Sequence, residues 1–249
     1  METNEVLETQ TKEIKKSKRK WYFRLLKKIM KVRYKQPRFV FLGEEITTSS
    51  IILSNHEGTD APMSLEIYLD KPLRMWGAYE MNSGLITLYK YQTKVYYHQK
   101  KGWNLFLARL FCLLASPLTY LFYSGLNLIS TYKDIRFRKT LSESLDAIKK
   151  GENIVIFPED SKNGYLEKLE GFFTGFVKLC DTCLKNGIDV PIFVSYFQKE
   201  QKVYVFDKPV YYSQLLKQYS SKEEIAEALK DRCNALGQMR FEEEKKTNE

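Results

Sequence analysis

Short apolar runs rich in β-branched and aromatic residues recur along this chain, and stretches of helical period stand between them. The runs are Phe39–Leu42, Ile51–Leu53, Leu73–Trp76, Ile154–Phe157, Val190–Phe197 and Val203–Phe206. Such runs are too short for helices of ordinary length and suit strands buried on both faces. Phe137, Leu141, Leu145 and Ile148 step by four, four and three, which predicts an amphipathic helix ended at Gly151. Ala61–Leu69 reads as a helix behind a Thr59-Asp60 cap, with Pro62 tolerated in its first turn. Phe172, Phe176 and Leu179 mark another, and a charged stretch from Lys222 to Arg240 a last one. The final two strand runs are close enough to form a hairpin. This alternation predicts an α/β fold, a mixed and mostly parallel sheet covered by helices on both faces.

The charge is not spread over that fold. The net charge is +9, yet the stretch Thr11–Arg38 holds 13 Lys or Arg and a single acid, Glu13, so it alone carries +12. The basicity therefore belongs to an N-terminal arm, residues 1–38, ahead of a domain over residues 39–249. Apolar residues interleave with the cations: Tyr22, Leu25, Leu26 and Ile29 share one helical face, and Lys20, Arg24, Lys27, Lys28 and Lys31 lie mostly on the others. A basic amphipathic helix containing Trp21 and Phe23 is the pattern of a membrane-surface anchor. A nucleic-acid module would spread basic and aromatic residues over a sheet face, so membrane lipids are the expected partner and nucleic acid is not. The first twenty residues are polar and charged, unlike a secretory signal.

From Leu110 to Ser130 there is no charged residue. Twenty residues could span a bilayer. Pro117, Ser116, Thr119, Ser124, Gly125 and Asn127 interrupt that stretch, so a leaflet-dipping helix or hairpin is expected, with a spanning helix and a buried helix followed by a strand as the alternatives. Cys180 and Cys183 form a lone CxxC without a second pair or a nearby His, and read as small core residues on a helix, not as a zinc site.

Two histidines are present, His56 and His98. His56 directly follows a predicted strand, in Ser54-Asn55-His56-Glu57-Gly58-Thr59-Asp60, the position where α/β folds place their sites. Asp60, four residues on, could orient the imidazole and leave its other nitrogen as a base; a turn or cap would use the same residues. Phe157-Pro158-Glu159-Asp160-Ser161-Lys162-Asn163 also follows a strand, and could present Ser161, Lys162 and backbone N–H groups to an anion. No P-loop and no GxGxxG are present, which points away from nucleotide-driven phosphoryl transfer and dinucleotide redox chemistry.

Together the two blocks resemble those of the glycerolipid acyltransferases of the 1-acyl-glycerol-3-phosphate type. Asn55-His56 is similar to the family's Asn-His block, Phe157-Pro158-Glu159 to its Phe-Pro-Glu block, Gly125–Lys133 to its second motif and Val190-Pro191-Ile192 to its fourth. The order of blocks covers roughly residues 40–210. Three residues separate His56 from Asp60 where the family has four, and Lys162 and Lys133 stand where it carries arginine. The resemblance implies an O-acyltransferase of phospholipid biosynthesis on the cytoplasmic face of a membrane, peripheral or monotopic. It would take the acyl group from acyl-CoA or an acyl-carrier protein, without metal or other cofactor. His56 would be the base and Asp60 its orienting carboxylate; Glu159, Ser161, Lys162 and Lys133 would bind a lysophospholipid such as lysophosphatidate. Another lipid or glycolipid acceptor, or a non-catalytic lipid-binding role, is the alternative.

Overall fold

The computed structural model describes residues 20–160 and 166–242. A helix, α1 (Trp21–Arg33), precedes strand β1 (Arg38–Phe41). Strand β2 (Ile51–Ser54), helix α2 (Asp60–Tyr68) and strand β3 (Leu73–Ala78) follow. A short α3 (Tyr79–Asn82) leads to α4 (Leu85–Tyr91), which runs on as a wider π-helical stretch over Gln92–Lys100. Then come α5 (Leu105–Leu126), β4 (Ile129–Thr131), α6 (Phe137–Lys149) and β5 (Asn153–Ile156). The chain ends in α7 (Gly175–Lys185), β6 (Pro191–Gln198), β7 (Val203–Phe206), β8 (Val210–Tyr211), α8 (Tyr212–Gln218) and α9 (Lys222–Gln238).

The strands form one sheet in the order β1-β7-β6-β2-β5-β3-β4, with β8 beside β6. β2 lies parallel to both β5 and β6, and β3 parallel to β5 and β4. β6 and β7 form the expected antiparallel hairpin. The fold is thus α/β with a mixed, mostly parallel sheet. Alternate residues of the central strands face opposite layers, as the two-residue strand period requires. Ile51, Leu53, Ile154, Ile156, Ile192 and Val194 pack under α6, α7 and α9. Ile52, Val155, Phe193 and Met75 pack on the other face, against Leu65 of α2, Phe23 of α1 and Leu126 of α5. Cys180 and Cys183 are buried on α7, and burial pushes the Cys183 thiol up to about 11.

The structure revises several expectations. The apolar face read for α1 is split. Phe23 is fully buried, Tyr22 and Leu26 are partly covered, and Leu25 and Ile29 are exposed. With Trp21 and Val32 they form an exposed stripe, within about 80° at roughly 100° per residue. The charge-free stretch is neither a hairpin nor a buried helix. Up to Leu126 it belongs to the single 22-residue α5, which includes Pro117 and is capped by Asn127 in the left-handed conformation, and at Ile129 it enters β4, so a strand does follow the helix while the helix itself is largely exposed. Its polar residues fit a continuous helix because they bond locally or inward. The Thr119 hydroxyl donates to the Ala115 carbonyl, that of Ser124 to Leu121, and that of Ser116 to Gln92 Oε1. Ala108, Cys112 and Ser116 make the buried stripe, and Phe106, Leu107, Leu110, Leu113, Leu114 and Leu118 stand exposed. The helix is long and apolar enough to cross a bilayer by length and composition, with only 17% of its most apolar window buried. Phe172 is not helical: it pairs as an isolated antiparallel bridge with Glu159, and α7 begins at Gly175.

Candidate active site at the exits of β2, β5 and β6

Because β5, β2 and β6 are parallel neighbours, their C-terminal ends open side by side on one edge of the sheet. Asn55, buried, is the first residue beyond β2. Its amide accepts from the Phe197 N–H at 2.7 Å and donates to the Phe197 carbonyl at 3.2 Å. An amide side chain has the donor and acceptor of a peptide unit, so Asn55 prolongs the pairing of β2 with β6 while its backbone turns away. Beneath it, Ser54 Oγ and the Tyr204 hydroxyl share a hydrogen bond of 2.6 Å.

That turn carries the next residues. Glu57 and Gly58 both have positive φ, 39° and 64°, and the Asp60 N–H donates to the Glu57 carbonyl. Two left-handed residues in succession reverse the chain before α2 starts at Asp60. Thr59 does not cap α2 with its side chain; its hydroxyl accepts from Tyr34 at 3.0 Å. His56, at the head of the turn, donates its backbone N–H to Glu159 Oε2 at 2.9 Å. Its ring meets that of Phe157, centroids 4.9 Å apart. Residues more than a hundred positions apart are therefore joined directly.

Glu159 is held from its own side too. Asp160 N–H donates to the Gly171 carbonyl and Phe173 N–H to that of Pro158, which makes the bridge on which Glu159 sits. The carboxyl is buried, and burial raises its pKa first. The negative charge of Glu57 raises it further, while hydrogen bonds from the backbone of His56 and Leu166 oppose the shift. A carboxylate accepting two backbone N–H groups fixes both segments to the exit of β5.

Asp60 has a different partner. Its Oδ2 lies 3.1 Å from the ammonium of Lys199, which also reaches Glu57 Oε1 at 3.5 Å. Among the described residues no hydrogen bond joins Asp60 to His56; the expected dyad is not formed as a direct contact. Asp60 is the first residue of α2, and its carboxylate is turned to the exit of β6. Lys133 lies exposed in the loop after β4, three strands from β2, on the order of 14 Å at the usual strand spacing. Ser161 and Lys162 fall outside the described residues.

Three residues at this edge were not singled out in the sequence. Lys199 opens the β6–β7 turn, where only its position after a strand marked it. Glu57 shares its ion pair. Arg136, three residues beyond Lys133, is paired with Asp134 and lies over the rings of Tyr132 and Tyr79, at 4.7 and 5.2 Å. Those rings stack with centroids 5.5 Å apart. A cavity of about 400 Å³ lies elsewhere, lined by Lys27, Lys31, Glu66, Tyr68 and Leu73. It adjoins the entrance of β3, not the strand exits, and is separate from the His56 site. No group of three His, Cys, Asp or Glu side chains among the described residues is set to hold a metal ion.

No family model matches the chain, and no curated protein matches it. Among solved structures, it is similar to the 1-acyl-sn-glycerophosphate acyltransferase PlsC from Thermotoga maritima, with 13% identity, 86% of this chain and 76% of that chain covered, and a TM-score of 0.45. That is a distant likeness of fold, below the level at which it speaks to activity.

Proposed function

We propose that this protein is a membrane-associated O-acyltransferase that moves an acyl group from a thioester to a lipid hydroxyl, with His56 as general base. One observation carries the reading. The Asn55-His56 block and the Phe157-Pro158-Glu159 block, each similar to a block of the glycerolipid acyltransferases, meet through the His56 N–H to Glu159 bond and the His56–Phe157 ring contact. They do so at the strand exits, where open α/β sheets bind ligands.

In this reading His56 takes the proton from the acceptor hydroxyl as its oxygen attacks the thioester carbonyl. A C–O bond forms, the C–S bond breaks, and the imidazolium returns the proton to the leaving thiolate. Glu159 fixes the backbone of the base. Asp60 contributes a nearby negative charge that favours the imidazolium, without the direct hydrogen bond of a serine-hydrolase triad. Lys133, Lys162 and Ser161 are the candidates for an anionic acceptor headgroup, and acyl-CoA or an acyl-carrier protein is the donor. The exposed apolar faces of α1 and α5, with the cations of α1, keep the protein at the lipid surface.

A second acceptor class has its own support. The described charged groups on the His56 turn or bonded to it are mainly acidic: Glu57, Asp60 and Glu159, with Lys199 already between two of them. An uncharged acceptor such as a glycolipid suits that setting better than a phosphate. The test is incubation with acyl donors and lyso-lipids of anionic and neutral headgroup, with products measured by mass. His56→Ala should reduce turnover by about 10²–10⁴-fold, and wild-type turnover in the folded variant removes the base assignment. Lys133→Ala should weaken use of an anionic acceptor alone; an equal loss with a neutral one rejects the phosphate role.

A further inference from the structure

The turn that presents His56 is short and doubly left-handed, and His56, Glu57 and Asp60 all lie on it within five residues. Within the turn the Asp60 N–H donates to the Glu57 carbonyl, and the Tyr34 hydroxyl donates to Thr59 Oγ1 at 3.0 Å. Glu159 fastens the inner side through the His56 N–H. Both carboxylates of the turn are held by Lys199, whose ammonium stands 3.1 Å from Asp60 and 3.5 Å from Glu57. Its backbone is fixed, since it opens the four-residue turn between β6 and β7, where the Lys202 N–H donates to its carbonyl. The preceding residue, Gln198, is anchored by its amide to the carbonyls of Leu236 and Met239 at the end of α9.

We infer that Lys199 is a positioning residue for His56: it clamps the His56–Asp60 turn to the exit of β6 and offsets the two carboxylates beside the imidazole. This rests on the reading of His56 as the base. The clamp takes the place of the direct carboxylate–imidazole bond that the shortened spacing does not form. Its second effect is electrostatic. Among the described residues the charged groups at the strand exits beside His56 are Glu57 and Asp60 on its own turn and helix, Glu159 and Asp160 from the exit of β5, and Lys199 from the exit of β6. With Lys199 in place the set is less negative, and the base stays neutral to lower pH. The ammonium is held in its charged form chiefly by its bond to Asp60. Removing it takes that cation from Glu57 and Asp60, favours imidazolium and raises the pKa of His56.

The chain has two histidines, so the imidazoles can be read by NMR without any turnover. Protein labelled at histidine is titrated as wild type, Lys199→Met, Lys199→Gln and Lys199→Arg, with His98→Gln assigning the two signals. Loss of the charge should raise the midpoint of His56 by about 0.5–1 pH unit, the lower part of the range for a nearby charge. Arginine should restore it, His98 should not respond, and adding Asp60→Asn to Lys199→Met should reverse part of the rise. With an active acceptor, the acidic limb of kcat/KM should move up by the same amount, kcat should fall several-fold, and the donor KM should hold. A midpoint for His56 that is unmoved in folded Lys199→Met and Lys199→Gln overturns the proposal. Turnover that survives His56→Ala overturns the base assignment instead, and leaves the NMR result to decide the clamp.

Discussion

At the scale of single residues, the site is built by polar side chains that finish backbone pairing. Asn55 supplies one donor and one acceptor to Phe197 where the β2–β6 ladder stops. Asn55→Ala leaves both Phe197 groups buried without partners, at about 1–3 kcal/mol each. A loss of about 2–4 kcal/mol in urea unfolding is expected, together with a lower kcat because His56 is the next residue. Asn55→Asp keeps the acceptor and loses the donor, so it should fall between. Glu159 predicts a pH effect. Burial raises its folded pKa above the ordinary carboxylate range, so between those values the folded state holds more protons than the unfolded one. Stability then declines as pH rises through that window, and the cost persists above it. Comparing wild type with Glu159→Gln in denaturant titrations across that window should show the decline only in wild type. A decline of equal slope in both would assign it to other groups. That Asn55, His56 and Glu159 lie at strand exits was legible in sequence because each follows an apolar strand run. The partner of Asp60 was not. Lys199 lies far along the chain in a hairpin turn, and only the parallel pairing of β2 with β6 brings it close.

Elements were legible where a single periodicity dominated. β2, β5 and β6 are runs without a buried-to-exposed alternation, as strands covered on both faces should be, and α6 kept its four-four-three spacing. Reading failed where two elements share one composition. α5 beyond Arg109 and β4 are both free of charge, so the residues from Leu110 to Ser130 gave no internal boundary; Asn127 in the left-handed conformation marks it in the structure. The split face of α1 has a similar cause, since apolar residues that dock and those that face outward alternate on one helix. Docking depends on Gly125. A Cβ there would lie 2.3 Å from the ring of Phe23, which is fully buried against α5. Alanine gains roughly 0.8–1 kcal/mol in helix propensity over glycine, but overpacking a tight contact costs about 1–3 kcal/mol. Gly125→Ala should therefore lower Tm and loosen α1, which the emission of the neighbouring Trp21 would report. A Tm equal to or above that of wild type would show that the Phe23 ring yields without loss.

At the scale of the whole molecule, two kinds of surface meet where α1 packs on α5. The Tyr22 hydroxyl bonds Ser124 at 2.8 Å, and the rings of Phe23 and Phe122 lie 5.6 Å apart. α1 brings Arg24, Lys28, Lys31 and Arg33, all exposed, and α5 brings exposed leucines at helical spacing, of which Leu114 and Leu118 are 75% and 71% accessible. A bilayer surface satisfies both, since acyl chains cover the leucines and anionic headgroups attract the cations. The two contributions separate by experiment. Burying a leucine side chain is worth about 1.5–3 kcal/mol, and a cation near an anionic surface roughly 1 kcal/mol. Leu114→Ser with Leu118→Ser should weaken vesicle binding by at least tenfold whether the lipid is neutral or anionic. Lys28→Glu with Lys31→Glu should weaken binding to anionic vesicles only, and most at low salt, because screening removes the attraction as ionic strength rises. Vesicle flotation of these proteins, with neutral and anionic lipid at two salt concentrations, measures all four combinations. If the leucine pair leaves flotation on both lipids unchanged, α5 does not enter the membrane. α1 then holds the protein through its cations and its exposed stripe of Trp21, Leu25, Ile29 and Val32, without help from α5.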